Sequence, residues 1–275
     1  MKYEFTEFGQ RGQTAPLSIR SVLDGEVLDE ILTTEDYTFT TVSVDGRGKT
    51  SYRVESVNVP GRHGSHLGEV RLDSRTIIIH ATVKGNTPED YREMMRRLNS
   101  LMFSKKVHEL EFTDDDGHTF YGTCVSVNDE SELSLRQHVK IEFTCTDPFK
   151  YTELKEVTRQ PSELLDIDTD IPVVPEEIDI TFNSNADAKN WTLINTETGH
   201  TIVFNQIRNV NGNRIIIRPK QNYIGYHPQS EQTNHIDGLN VRYSTFDEFK
   251  INSADRLGID KDVVNIVVRY RGTKL

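Results

Sequence analysis

The amino-acid sequence predicts a mainly β protein: an α+β N-terminal domain built of antiparallel sheets and one packed helix, followed by a C-terminal β-sandwich. Three observations carry that prediction. Apolar and polar residues alternate in short segments up to about residue 150, one segment switches to helical spacing, and beyond an acidic, proline-containing stretch only strand-like segments recur.

The clearest strand runs from Thr76 to Val83, where Ile77, Ile79, Ala81 and Val83 fall on one face. The same alternation groups Leu110 with Phe112, then Tyr121, Thr123, Val125 and Val127, then Val139, Ile141, Phe143 and Cys145. Between strands 107–113 and 119–127 lies Thr113-Asp114-Asp115-Asp116-Gly117-His118, whose Asp-Gly pair suits a tight antiparallel hairpin. The helix begins at Thr87, a capping residue, with Pro88 in the first helical position and Glu89 and Asp90 at the positive end of the dipole. Tyr91, Met94, Met95, Leu98, Leu101 and Met102 recur every three or four residues, and this stripe is expected to pack on the sheet.

After Pro148 the pattern breaks. From Glu153 to Asp179 nine acidic residues face two basic ones, with Pro161, Pro172 and Pro175 among them. The expected organisation is therefore a first domain over 1–152, an acidic linker over 153–177 and the sandwich over 178–275. Within the sandwich, Ile178–Phe182, Thr201–Phe204, Ile215–Arg218, Leu239–Tyr243 and Val263–Tyr270 read as strands.

Composition narrows the function. The 275 residues suffice for two domains with cores of their own, and a net charge of −11 argues against an extended nucleic-acid surface. The opening MKYEFTEFGQRGQ has no apolar run of signal-peptide length, and runs such as Ile77-Ile78-Ile79 are far too short to span a bilayer, so a cytosolic protein with no membrane insertion is expected. Cys124 and Cys145, both in strand-like segments, read as buried, reduced thiols.

No motif survives inspection as a catalytic or metal site. Gly46-Arg47-Gly48-Lys49-Thr50 ends like a phosphate-binding loop, yet Ser43 stands where the first glycine belongs, and Ser51–Val59 reads as a strand instead of the required helix. Aligning Asp114-Asp115-Asp116-Gly117 to a calcium loop places Phe112 and Thr123 at ligand positions, which cannot coordinate. His63 and His66 lack a third ligand in their segment. No serine or cysteine sits in a nucleophile elbow, and abundant carboxylates alone are weak support for a glycan hydrolase. The expectation is no enzyme, no metal and no cofactor. Trp191, Tyr223 and Tyr226, with Tyr243, form a candidate carbohydrate or docking surface on the sandwich, weighed against core burial of the same rings. Gly61-Arg62-His63-Gly64-Ser65-His66, glycine-rich and flanked by strands, is a candidate arm reaching a neighbouring subunit, weighed against an ordinary hairpin loop.

The order and spacing of several segments resemble one family. They are Pro60-Gly61-Arg62-His63-Gly64, the Ile77–Val83 strand with Lys84-Gly85, and the capped helix leading to Leu98-Asn99. The hairpin around Phe112-Thr113-Asp114-Asp115 and the phrase Phe143-Thr144-Cys145-Thr146-Asp147-Pro148-Phe149 complete the set. The chain resembles, over nearly its whole length, the distal tail proteins of long-tailed, non-contractile phages that infect Gram-positive bacteria. The resemblance implies a hexameric ring formed by the N-terminal domain and a galectin-like sandwich outside it. It also implies a place at the virion tail tip after assembly in the host cytoplasm. The implied partners are the tail tube protein, a tail-associated tip protein and, through the baseplate, a receptor-binding protein, while phage DNA transits the lumen without specific binding. The other reading is a carbohydrate-binding tail or cell-wall module acting through the sandwich.

Overall fold

The computed structural model describes residues 19–48, 51–58, 61, 63–115, 117–129, 134–183, 190–205, 214–227 and 234–275. The chain divides into two compact units, one ending at Lys150 and the other covering Tyr151–Lys274. Both are dominated by antiparallel strands, and one main helix is present among the described residues.

The first unit contains β1 (Ser21–Leu23), β2 (Glu26–Val27), the single turn α1 (Leu28–Ile31), β3 (Tyr37–Asp45), β4 (Tyr52–Asn58), β5 (Ser65–Leu72), β6 (Arg75–Gly85), α2 (Pro88–Met102), β7 (His108–Phe112), β8 (His118–Asp129) and β9 (Arg136–Cys145). Pairing runs β3, β6, β9, β8, β7, β1, β2. The long strand β8 lets one curved sheet form, because residues 120–122 pair with β7 while its second half pairs with β9 across a bulge between Cys124 and Ser126. Ile77, Ile79, Ala81 and Val83 of β6 are at most 1% exposed, as alternation requires. Helix α2 closes the core from β6, β3 and β8, burying Tyr91, Met94, Leu98 and Met102. Its start is held by a reciprocal capping box, in which the Thr87 hydroxyl accepts from the Asp90 N–H and the Asp90 carboxylate accepts from the Thr87 N–H.

One face differs from expectation. On β8 the core receives Phe120, Gly122 and Cys124, while Val125 is 49% exposed and Tyr121 and Thr123 are only half-buried. Both parities of this strand carry apolar side chains, and the bulge returns Val127 to the core, so alternation alone could not choose the face.

The second unit opens with β10 (Lys150–Arg159), followed by β11 (Glu177–Phe182), β12 (Trp191–Asn195), β13 (Thr201–Phe204), β14 (Arg214–Arg218), β15 (Tyr223–His227), β16 (Leu257–Ile259) and β17 (Val263–Lys274). One sheet has the order β15, β14, β11, β17, β10, and a second the order β13, β12, β16. Isoleucines of β11 and β14, Trp191 and Leu193 of β12, Phe204 of β13 and Val268 of β17 share one core between them.

Residues 153–177 are not a linker. They begin in a paired strand and continue as an irregular segment that buries Leu165, Ile167 and Val173 and bridges Leu164 to Arg256 and Val173 to Ile251. Its acidic side chains sit on the rim, where Asp168 is gripped by Lys155 and Lys274 and its carboxyl falls to about 2. Charge density marked solvent exposure correctly but hid the apolar residues between the charges. Leu239–Tyr243 is likewise not a strand: Leu239 makes one bridge to Phe204, then the chain turns, with the Tyr243 N–H donating to the Asn240 carbonyl.

Candidate assembly interface

Strands β4 and β5 form a hairpin of their own, paired with no other described strand. It leaves the first unit between β3 and β6, whose ladder is complete without it, from Tyr37↔Gly85 to Asp45↔Ile78. The residues of β4 and the first seven of β5 are exposed. Gly61 and Gly64 near the tip have φ of +82° and +83°, conformations that L side chains rarely adopt.

The pairing register sorts the side chains into two faces. Tyr52 lies opposite Leu72 and Val54 opposite Val70; after an irregularity, Ser56 lies opposite Leu67. Directly opposed residues share a face, so Tyr52, Val54, Leu67, Val70 and Leu72 line one side. The other carries Arg53 opposite Arg71 and Val57 opposite His66. Gly68 sits at the irregularity, where a Cβ would come within 2.9 Å of the Glu55 carbonyl oxygen. The apolar face is open to solvent: Leu67 is 70% exposed, Tyr52 60%, Val54 54% and Val70 46%. A two-stranded hairpin is marginal in water, and a contiguous apolar stripe on one marks a surface made to be covered.

The predicted arm residues Gly61, His63, Gly64, Ser65 and His66 therefore sit at the tip and the adjoining end of β5, all exposed, while Arg62 lies outside the described residues. His63 and His66 belong to no cluster of three metal-ligating side chains among the described residues. The sequence reading stopped at this tip and missed the apolar stripe on the strands, although the alternation of Tyr52 and Val54 was its signal. The predicted phosphate-loop-like segment is the root of the arm: Gly46, at φ +91°, ends β3 against the Thr76 carbonyl, and Lys49 and Thr50 lie outside the described residues.

Of the aromatic residues expected at a surface of the second unit, Trp191 is in the core, while Tyr243 is 60% exposed. Trp191 is 1% exposed and stacks on Phe204, their ring centroids 5.2 Å apart. Its position as the first residue of β12 points it into the core between the sheets, where a large ring contributes most by burial. Tyr223 lies over Gly225, where a Cβ would meet its ring, and carries the Arg218 guanidinium 5.2 Å from its centroid. Its face is thus already engaged. Tyr226 is in β15, but its side chain lies outside the described residues. Beside these rings the sheet surface is an ion-pair ladder in which Arg214 grips Asp179 and both Arg218 and Arg269 reach Glu177. The Asp179 hydrogen bonds raise the pKa of Arg214 further.

Comparison with known proteins places this geometry. Residues 29–145 match the family model described as phage tail protein RIFT-related domain, a stretch that includes the arm, its root and α2. The distal tail protein of Bacillus phage SPP1 is 26% identical over 133 residues, covering 46% of this chain and 53% of that protein. Over this stretch the chain is similar to phage distal tail proteins. The aligned region thus spans about half the length of the curated relative. In fold the likeness is wider: the crystal structure of the SPP1 distal tail protein aligns over 94% of this chain and 99% of its own, with TM-score 0.67 and 16% identity. It was described as a paradigm of the hub adsorption apparatus in phages infecting Gram-positive bacteria.

Proposed function

We propose that six copies of this chain close into a ring at the virion tail tip, joining the tail tube protein to a tail-associated tip protein and leaving a lumen through which DNA passes. The chain acts structurally in this reading, without catalysis, and assembles in the host cytoplasm. The first unit forms the ring; the second carries the surface on which a receptor-binding protein docks.

The observation that carries the reading is the arm. A heterologous ring needs each subunit to present one surface and to receive its neighbour's, and the β4–β5 hairpin is an extended element whose apolar side has no cover within its own unit among the described residues. The match of residues 29–145 to a phage tail domain and the fold shared with the SPP1 protein support the same assignment. The acidic balance of the chain suits a DNA conduit, since like charge keeps the polyanion from adhering to the wall.

Negative-stain microscopy with mass photometry tests the proposal. Closed rings of six copies are expected, formed by the chain alone or with the tail tube protein present. A chain that stays monomeric in both conditions, across its accessible concentration range, refutes it.

A further inference from the structure

The arm is joined to the first unit by a compact clamp, and the geometry points to that clamp as the device that fixes the arm's direction. We propose that Arg47, Asp114 and Arg75 are positioning residues that aim the β4–β5 hairpin at its neighbour; this rests on the reading of the arm as the ring-forming element.

Both strands of the arm emerge at one place, after Asp45 of β3 and before Arg75 of β6. At the outgoing side, Arg47 makes a two-pronged ion pair with Asp114 of the β7–β8 turn, Nη1 to Oδ1 at 2.5 Å and Nη2 to Oδ2 at 2.8 Å. Both side chains are largely buried, at 14% and 15% exposure, so the pair is shielded from screening by salt. The Arg47 guanidinium also lies over the Phe112 ring, 5.1 Å from its centroid. At the returning side, Arg75 is 4% exposed, sits 5.4 Å over the Phe120 ring, and donates to the Arg47 carbonyl. Phe112 and Phe120 meet edge to face at 6.1 Å, so the two arginines bracket an aromatic pair. Gly46 adds a steric stop, because even a Cβ there would come within 2.0 Å of the Thr76 carbonyl oxygen. The root itself is closed by the Asp73 N–H donating to the Ser51 carbonyl at 2.9 Å.

The chemistry argues for aiming over ordinary core stability. A guanidinium held bidentately and stacked on a ring is fixed in orientation, which a lysine's point charge would not be. Arg47 packs on the edge of the core only, through the Phe112 ring, and lies beside a cleft of about 370 Å³ that Asp45, Asp115 and Lys150 also line. The arm adds no buried side chain to the unit, so the clamp is where its direction is held against thermal motion.

The experiment attaches spin labels to the full chain at Val57→Cys on the arm and Lys140→Cys on β9, and reads the distance distribution by pulsed electron resonance in dilute monomer. Labelling at neutral pH spares Cys124 and Cys145, whose burial pushes both thiols up to about 11. The parent should give one narrow peak. Arg47→Gln and, independently, Asp114→Asn should each lose it to a broad distribution, with Arg47→Lys intermediate, while the circular dichroism spectrum shows the unit still folded. Without the labels, the same variants should lose closed rings. A parent distribution already broad, or variants as narrow as the parent, overturns the proposal. Should Arg47→Gln unfold, Asp114→Asn, which keeps the arginine over Phe112, decides alone. If the unlabelled parent never forms rings yet the variants broaden, the clamp stands and the ring reading fails.

Discussion

Replacing Val54 and Leu67 together by threonine tests the apolar face of the arm while leaving its backbone intact, since threonine suits strands as well as the residues it replaces. Both side chains lie on the same face, at 54% and 70% exposure, so most of their apolar surface is still available to be buried by a partner. Full burial of a Val or Leu side chain contributes about 1.5–3 kcal/mol; scaled by these exposures and by what threonine retains, the double variant forfeits roughly 1.5–2 kcal/mol per interface. Where the new hydroxyls meet no partner, desolvating them adds about 1 kcal/mol or more, giving a total of about 2–4 kcal/mol. Each contact should then weaken by about 30- to 1000-fold. The isolated subunit should keep its stability within about 0.5 kcal/mol, because neither side chain packs in it. A dilution series followed by mass photometry, with urea unfolding of the monomer, reads both quantities. Rings dissociating at the parent's concentration would refute the reasoning, and so would a loss of subunit stability equal to the loss of assembly.

Three further outcomes are expected. Trp191→Ala should destabilise the second unit by about 3–5 kcal/mol, seen as an early unfolding transition in calorimetry; a variant of parent stability that loses retention on cell walls would instead restore the sugar-platform reading. Gly46→Ala meets both a positive φ and the Thr76 carbonyl, so it should cost the first unit more than the ~1–3 kcal/mol of backbone strain alone, measured by urea unfolding. Burial pushes the Asp24 carboxyl up, but hydrogen bonds from His108, the Glu109 N–H and Lys105 outweigh it and hold the group below its usual 3.8. A carboxyl depressed on folding contributes stability present above its unfolded value and lost as pH falls through the folded one. Asp24→Asn should therefore lower stability near neutrality and flatten the loss as pH falls below 3.8, as read by urea midpoints across pH.

What the sequence made legible follows from which signals have one reading. Thr87, Pro88 and Asp90 each act locally at the start of α2, so the helix start could be read directly. Ile77 to Val83 alternates against polar neighbours, and its buried face follows from the chain alone. Strand β8 has apolar residues on both faces, and the choice between Phe120 and Tyr121 was made by a bulge that no local motif announces. The segment 153–177 shows charge on its surface while Leu165 and Ile167, flanked by Asp166 and Asp168, go inward, so composition averaged over the stretch misled. On the arm, glycines drew attention to the tip, whereas the stripe from Tyr52 to Leu72 depends on pairing register, a tertiary property. Trp191 could have been rim or core by residue type; the stacking on Phe204 decided it.

The alternation on the arm also constrains how such a protein can change size. Since β3 and β6 pair without help from β4 and β5, the excursion between them can lengthen without disturbing the sheet beneath. It cannot lengthen freely, however. Adding one residue to each strand would turn every side chain beyond it to the opposite face, so only pairs preserve the apolar stripe, and each pair extends the reach by about 6.8 Å. Diversification of this arm is therefore stepwise: its reach can take a ladder of discrete values, and intermediate lengths demand a compensating bulge such as the one at Gly68.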